Sequence, residues 1–328
     1  MNILVLSTES EIESSFLSKH LNYWEKHGHF LRCFKGFKFQ LLNSFWVLIW
    51  YLLQKDKKWD IVVWYFQPLA ILQTLVVKEK KLIFIDRIDS GILSSWIARL
   101  NILIERVTGS NFMYVAGSSQ LLKKLRTFRI DAQKLKLLEI GYSPRKYRVG
   151  SAKDKILVFD LDANYKGVES ALTVFSLLLR RDPEWRMSVV GNNTADNNSI
   201  VCLISKSEHS DRVRLIRGEE RTMKVLRKSL SYLIISPVRN ILPYLLRAGN
   251  FENLIFSYNI SPVNLYLKNQ KNAILINRGD TYHMAEKILE VCQDVKTIEK
   301  TIKNLRVFVS GYSEAAVLTK SLKIIEQI

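Results

Sequence analysis

Short apolar stretches alternate along the chain with longer segments in which apolar residues recur every three or four positions. The short stretches predict buried parallel strands, and the longer segments predict the helices between them. Strands are predicted at residues 2–7, 30–34, 60–66, 81–86, 111–116 and 135–140, and again at 156–161, 185–190, 213–216, 232–235, 254–257 and 273–276. This alternation predicts an α/β protein with parallel sheets and right-handed crossovers.

The length of 328 residues favours two domains, because a single hydrophobic core rarely grows to that size. Residues 141–152 combine proline, glycine, serine and basic residues, as linkers do, and the strand and helix pattern restarts after them. We therefore expect one doubly wound domain at residues 1–145 and a second at 152–310. Helices of the second domain are predicted at 167–181 and 223–230, after Pro262, and from Thr281 onward with a break at Ser310-Gly311.

Lysine and arginine number 49 against 31 acidic residues, for a net charge of +18. Such an excess favours anionic partners, namely nucleic acid, phospholipid headgroups or phosphorylated ligands. Nucleic acid is not expected, because no motif that reads it is present. The absence of GxGxxG and GxxxxGK[ST] loops counts against a dinucleotide dehydrogenase and a P-loop NTPase. The three cysteines lack metal-binding spacing and are interpreted as buried thiols.

The most apolar stretch, residues 41–53, would be about 20 Å long as a helix, which is too short to span a bilayer. Basic residues flank it on both sides. It is either a core helix or an interfacial helix, and in the second case Leu41, Phe45, Trp46 and Trp50 would contact an anionic membrane surface. The first residues read as a strand rather than a signal peptide, so we expect a cytoplasmic location.

Candidate chemistry lies where predicted strands end, since parallel sheets place ligands at the carboxyl ends of their strands. Arg239 and Arg247 follow the strand at 232–235 and are eight positions apart, a spacing that could direct both into one crevice. They could bind phosphate or an acidic ligand, be surface charge, or pair with Glu252. Asp89 follows the strand at 81–86 and is the candidate for an acceptor-side, catalytic role.

Several segments resemble the family 4 retaining glycosyltransferases of the GT-B fold. The likeness is carried by residues 164–168 (NYKGV), 187–191, 211–218, 231–237, 272–280 and 311–314, and by 21–30 and 115–118. The resemblance implies two Rossmann-like domains whose parallel sheets face a central cleft, with the nucleotide sugar held mainly by the second. It also implies that residues 311–328 form a helix that crosses back to the first domain.

The resemblance assigns roles to particular residues. Lys166 would hold the diphosphate of the donor, and Gly167, Gly191 and Gly218 would lie in the donor-binding loops. The two glutamates of the family's acidic motif are replaced by Arg239 and Arg247, and the arginine that partners the lysine falls at Leu161. A guanidinium only donates hydrogen bonds, so it cannot accept hydrogen bonds from the sugar hydroxyls as a carboxylate does.

The resemblance therefore implies a hexosyl transfer from UDP- or GDP-sugar to a saccharide or lipid-linked acceptor in cell-surface polysaccharide or glycoconjugate synthesis. No metal or further cofactor is expected, and the protein would lie on the inner face of the membrane. The alternative is an inactive GT-B pseudo-glycosyltransferase that serves as partner or scaffold for an active transferase. Whether the chain pairs with itself or with another chain is left open.

Overall fold

A computed structural model describes residues 1–8, 15–36, 60–65, 80–85, 112–117, 119–127, 131–139, 153–164, 166–191, 197–238 and 240–327. The chain divides into two compact units. The first comprises Met1–Gly141 and Ser313–Ile328, and the second comprises Tyr142–Tyr312.

The first unit contains a six-stranded parallel sheet in the order β2-β1-β3-β4-β5-β6. The strands are β1 (Asn2–Thr8), β2 (Phe30–Gly36), β3 (Ile61–Tyr65), β4 (Lys80–Ile85), β5 (Phe112–Ala116) and β6 (Leu135–Leu137). The described helices are α1 (Ser15–Lys26), α2 (Ser119–Thr127) and α9 (Glu314–Glu326), with a short 3₁₀ turn at Ala132–Lys134.

Helix α9 packs on α1 through a small buried polar cluster. The Trp24 indole donates to Ser321 Oγ at 3.0 Å, and Ser321 in turn donates to the carbonyl of Leu318 at 2.7 Å. His20 Nδ1 lies 2.8 Å from the same Ser321 oxygen. Since the serine proton is already directed to Leu318, Nδ1 of the neutral imidazole acts as the donor. The last helix is thus fixed to the first by hydrogen bonds as well as by apolar contact.

The second unit contains another six-stranded parallel sheet, in the order β12-β11-β10-β7-β8-β9. The strands are β7 (Asp154–Asp160), β8 (Arg186–Val190), β9 (Val213–Ile216), β10 (Ser229–Ile234), β11 (Leu254–Tyr258) and β12 (Ile274–Ile276). The helices are α3 (Val168–Arg181), α4 (Asn197–Ser205), α5 (Glu219–Lys228), α6 (Leu242–Asn250), α7 (Thr281–Gln293) and α8 (Val295–Ser310).

Alternation of side chains along the strands builds two cores, one on each face of this sheet. Leu157 and Phe159 of β7 join the cluster that includes α3 and α7. Val158 of the same strand faces the other way, into the cluster that includes α5, α6 and α8. Both faces of the central strands are therefore covered by helices, which explains their near-continuous apolar sequences.

The order of the strands reverses between β7 and β10. From β7 the chain adds β8 and β9 on one side, and from β10 it adds β11 and β12 on the other. In doubly wound sheets, the loops that follow the two strands at such a switch point diverge and leave a crevice in which ligands bind. The topology of this unit therefore directs attention to the residues that follow β7 and β10.

The strand predictions agree closely with the structure, and the differences lie at polar segments. Helix α5 begins at Glu219 and ends at Lys228, earlier than predicted, because its first-turn glutamates favour a helix start although they carry no apolar signal. Strand β10 begins at Ser229, since Ser229 and Ser231 are small enough to be fully buried in the sheet. The segment after Pro262 forms only a 3₁₀ turn, Val263–Leu265.

Helix α4 was not predicted, and it corrects the interpretation of one cysteine. Cys202 is exposed on α4, whereas Cys292 is partly buried on α7. The apolar residues around position 202 resemble a buried run, but this short helix leaves Val201 and Cys202 in solvent. None of the helices that the structure describes has both the length and the apolar character that a bilayer span requires.

Gly249 permits the close packing of α6 against α8. A Cβ atom at this position would lie 2.5 Å from Val309 Cγ2 and 3.1 Å from Leu305 Cγ, both buried. We expect Gly249→Ala to lower the free energy of unfolding by about 1–3 kcal/mol, because the two helices must separate. Thermal unfolding followed by circular dichroism measures the effect. Gly311→Ala is the control, since its Cβ would meet nothing closer than 3.4 Å.

Burial lowers the pKa of His20 to about 4, although the nearby Glu314 partly offsets this decrease. The imidazole of the unfolded chain takes up a proton near pH 6.5, whereas the folded protein does so only near pH 4. Stability should therefore fall as the pH is lowered from about 6.5 to about 4, by about 3 kcal/mol in total.

Urea unfolding of the parent and of His20→Gln across this pH range isolates the contribution of His20 protonation to the unfolding free energy. The difference in unfolding free energy between the two proteins should depend on pH only within that window. A constant difference would show that the protonation of His20 is not coupled to folding.

Candidate active site

Asn164 joins the two loops that follow β7 and β10. Its side-chain oxygen accepts hydrogen bonds from the backbone N–H groups of Ile235 and Ser236, at 2.9 and 3.0 Å. Its amide nitrogen donates to the carbonyl of Asp160 at 2.8 Å. The side chain is 2% exposed, so these bonds are made away from water. Asn164 therefore holds together the floor of the crevice at the switch point.

Lys166 and Gly167 lie at the start of α3, directly after this floor. Gly167 has a φ of +102°, and a Cβ atom there would lie 3.1 Å from Ile235 Cγ2, so the position requires glycine. Gly167 is the N-cap residue of α3 and has no side chain with which to cap the helix, and Lys166 is exposed. The first-turn N–H groups, the positive end of the helix dipole and the ammonium of Lys166 thus combine in a place suited to an anion.

Gly191 and Gly218 follow β8 and β9 at the same end of the sheet. A Cβ atom at Gly191 would lie 2.9 Å from Leu161 Cβ, so this glycine allows the loop after β7 to approach. Gly218 has a φ of +90° and precedes α5, whose first turn carries Glu219 and Glu220. The first turn of α5 thus carries two carboxylates against one, Glu169, in the first turn of α3, so an anion would be opposed less strongly at α3.

Asp160, the last residue of β7, is fully buried and accepts four hydrogen bonds. Its Oδ1 accepts from the backbone N–H groups of Asp162 and Ala163, at 3.0 and 3.3 Å. Its Oδ2 accepts from the Tyr232 hydroxyl at 2.8 Å and from Arg247 Nη2. This carboxylate is therefore fully engaged within the protein.

Burial raises the pKa of Asp160, while Arg247 and the Tyr232 hydroxyl favour its ionised form and offset part of the increase. Burial alone would lower the pKa of Arg247, but the attraction of Asp160 and Tyr232 outweighs it and the pKa is raised. The pKa of Tyr232 lies well above its ordinary value because of burial and the adjacent carboxylate. The three groups form a charge-compensated cluster, which we call the Asp160 cluster.

The structure rules out the interpretation that Arg247 pairs with Glu252. Glu252 instead accepts from Arg306 Nε at 2.5 Å, whereas Arg247 extends from α6 to the end of β7. The guanidinium carbon also lies 5.3 Å from the centre of the Tyr244 ring, within cation–π range. The positive charge of Arg247 thus lies directly beside the carboxylate of Asp160.

Several predicted residues cannot be placed. Arg239 lies outside the described residues, and α6 begins only at Leu242, so helical spacing does not relate Arg239 to Arg247. Asp89 also lies outside them, as do the proposed membrane contacts Leu41, Phe45, Trp46 and Trp50. Their roles remain predictions. Within the described part of the chain, His, Cys, Asp and Glu side chains do not gather in groups that could hold a metal ion.

Sequence reasoning assigned no role to Asn164 or Tyr232, although both shape the site. Tyr232 is indistinguishable in sequence from an ordinary aromatic residue of a buried strand. Asn164 gave a stronger signal, because a short polar side chain after a strand often bonds to nearby backbone groups. The partner of Arg247 could not be found from sequence, since Asp160 is 87 positions away.

The Asp160 cluster leads to a prediction about stability. Replacing Arg247 with Met leaves the carboxylate of Asp160 buried without its cation, and we expect a loss of about 3–5 kcal/mol in unfolding free energy. Asp160→Asn/Arg247→Met should recover much of this loss, because neither charge remains. Denaturant unfolding of both single variants and the double variant gives the coupling energy.

Arg306→Met is the matched control. It removes a guanidinium of 61% side-chain exposure from the pair with Glu252, so its effect should stay below about 1 kcal/mol. If Arg247→Met were no more destabilising than Arg306→Met, the Asp160 cluster would not be needed for folding.

Residues 142–308 match the sequence profile of the family described as glycosyl transferases group 1. Among solved structures, the fold is similar to that of a glycosyltransferase from Rickettsia africae, with a TM-score of 0.70 and 16% identity over 99% of this chain and 98% of that one. It is also similar to the lipopolysaccharide outer core galactosyltransferase WaaB, with a TM-score of 0.71 and 13% identity over all of both chains.

A third similar structure is Anabaena Alr3699/HepE in complex with UDP, with a TM-score of 0.70 and 10% identity over all of both chains. No curated protein sequence matches the chain significantly. The structural similarities confirm the predicted GT-B fold class. The profile covers half of the sequence, and the chain therefore belongs to the group 1 glycosyl transferase family.

Proposed function

We propose that the chain is a nucleotide-sugar-dependent, retaining glycosyltransferase whose donor diphosphate binds at Lys166 and the start of α3. The observation that carries this proposal is the position of Lys166 and Gly167 at the switch point, beside an uncapped helix terminus. The second unit contains both, and it coincides with the segment that matches the family profile. The complexes of HepE with UDP and with UDP-glucose support a nucleotide sugar as the donor class.

In this reaction the bond between the anomeric carbon and the diphosphate oxygen breaks, and negative charge accumulates on the departing nucleoside diphosphate. The ammonium of Lys166 and the first N–H groups of α3 would stabilise that charge as it develops. The donors are pre-organised, because Asn164 fixes the preceding loop and Gly167 packs on Ile235. Arg247 keeps the buried charge of Asp160 from opposing the diphosphate.

The acceptor class is proposed on the same footing. The similarity to WaaB, which acts in the lipopolysaccharide outer core, favours a hexosyl transfer to a saccharide or lipid-linked acceptor in cell-surface glycan synthesis. A basic protein with an apolar segment at 41–53 suits a peripheral position on the inner, anionic face of a membrane. Asp89 is proposed as the acceptor-side residue because it follows strand β4 of the first unit.

A second candidate function is that of an inactive partner or scaffold for an active transferase. The observation that favours it is the engagement of Arg247 with Asp160 at a position where the family resemblance expects a carboxylate. All four hydrogen bonds to Asp160 come from the protein, so this carboxylate is not available to accept the hydroxyls of a donor sugar.

Titration of the full chain with UDP, GDP and their sugars by calorimetry tests the donor site. We expect binding to at least one of them, and Lys166→Ala should weaken it by about tenfold or more because a charge-assisted contact to phosphate is lost. Lys206→Ala is the matched control, since Lys206 is another exposed lysine of the second unit. Absence of binding at millimolar concentration for every ligand would contradict the proposal.

Incubation with the bound donor separates the two candidates. Release of nucleoside diphosphate, with transfer to a saccharide or to water, identifies an enzyme. Binding that depends on Lys166 without any turnover identifies the scaffold.

A further inference from the structure

The second unit also has a basic groove whose lining includes neither Lys166 nor Gly167. It lies between α5 and strands β8 and β9 and has a volume of about 570 Å³. Five basic side chains line it, namely Arg186, Arg212, Arg214, Lys224 and Lys228, and a sixth, Arg221, lines an adjoining pocket that shares Arg214 and Lys224 with the groove. It includes the first residues of β7 and β8 and also Ile216, the last residue of β9, whereas Lys166 and Gly167 follow the carboxyl end of β7.

The register of the strands explains one wall of the groove. Arg186 and Ser188 project from the same side of β8, and Ser188 pairs with Arg214 of β9. Ser188 also pairs with Val158 of β7, which packs in the same core as Leu226 of α5. Arg186 and Arg214 are thus on the face that α5 covers elsewhere, but α5 packs on β7 and β10 and leaves this part open.

Helix α5 provides the opposite wall. Arg221, Lys224 and Lys228 recur at intervals of three and four residues, which places them on one side of the helix over about 10 Å. The groove is therefore bordered by positive charge along both sides. On this face Ser188 and Val190 of β8 are buried, so the open basic part lies over the edge strand β9 and over Arg186, the first residue of β8.

Most of this charge is not neutralised within the protein. Two of the six basic side chains have partners, since Lys224 pairs with Glu220 at 2.7 Å and Arg212 with Asp211 at 3.5 Å. Arg186, Arg214 and Lys228 have no ion-pair partner among the residues that the structure describes, and Arg221 is attracted by Glu220 without forming a close ion pair. The acidic side chains that line the groove are Asp154 and Asp211. The groove thus has a net positive charge.

We propose that this basic groove binds a chain of phosphate groups, such as the backbone of a phosphate-containing polymer. A tetrahedral phosphate in a chain presents free oxygens to both sides and can contact both walls at once, whereas a side-chain carboxylate presents its oxygens to one wall. The described lining contains no aromatic ring, so it offers no surface on which nucleobases could stack. The groove is concave and lacks exposed aromatic residues, which makes it poorly suited to a membrane surface.

Calorimetric titration of the full chain with tripolyphosphate at low salt tests the proposal. A phosphate chain can also bind at Lys166, so the titration is made in the Lys166→Ala background. Arg214→Glu/Lys228→Glu reverses one charge on each wall and should lower the affinity by about tenfold or more. Backbone NMR should show shifts of β9 and α5 amides upon tripolyphosphate binding in the parent.

Lys300→Glu/Lys303→Glu is the matched control, because it changes the net charge equally at two exposed positions on α8. It should retain the affinity of the parent background, and thermal unfolding should show that both double variants are folded. An equal loss of affinity in the control would overturn the proposal, since net charge alone would then explain binding.

Two further ligands separate the sources of negative charge. Polyglutamate should bind more weakly than tripolyphosphate at equal charge, and equal binding would overturn the preference for phosphate. Flotation with phosphatidylglycerol vesicles should be unchanged by Arg214→Glu/Lys228→Glu, and its loss without any effect on tripolyphosphate would assign the groove to a membrane instead. Arg214→Glu/Lys228→Glu should bind UDP with the same affinity as the parent, because the groove is not the proposed donor site. If the parent did not bind UDP, the proposed donor site would fail, but the tripolyphosphate titration would still test the groove.

Discussion

The carboxylate of Asp160 is completely removed from water at the centre of the second unit, and its charge must be balanced there. Tyr232 of β10 and Arg247 of α6 provide that balance, and the backbone of the following loop binds the second oxygen. Three segments that are distant in sequence are thereby brought to one point. The position of the loop that leads to Lys166 depends on this arrangement, because the loop begins at Asp160.

The crevice and the basic groove use the same sheet in different ways. At the carboxyl ends of the strands, Arg247 forms an ion pair with Asp160 inside the protein, and Lys166 lies beside the start of α3. Along β8, β9 and α5, by contrast, four cations form no close ion pair with the described residues. The large net charge of the chain is thus unevenly engaged, and its total alone does not indicate where an anion would bind.

Much of the fold follows from local patterns. Apolar strands such as β7, in which Val158 and Phe159 face opposite cores, can be recognised in the sequence because both faces of the sheet are covered. The candidate site could be predicted only in part. The glycines and Lys166 were found because they directly follow predicted strands, whereas the contact between Asp160 and Arg247 can be found only when the topology of the sheet is known. Which cation balances Asp160 depends on how α6 packs, and the sequence does not show this. The strand that begins at Ser229 was predicted to begin only at residue 232, because a sequence that contains two serines resembles that of a loop.

The first unit is discontinuous in the chain, since α9 joins it only after the whole of the second unit has intervened. During synthesis, residues 142–312 emerge as one uninterrupted segment and can fold as they leave the ribosome. The first unit must wait, with the surface around His20 and Trp24 exposed, until Ser321 has been translated. The half of the protein that is made first is therefore the half that is completed last, and during that interval it would depend most on chaperones.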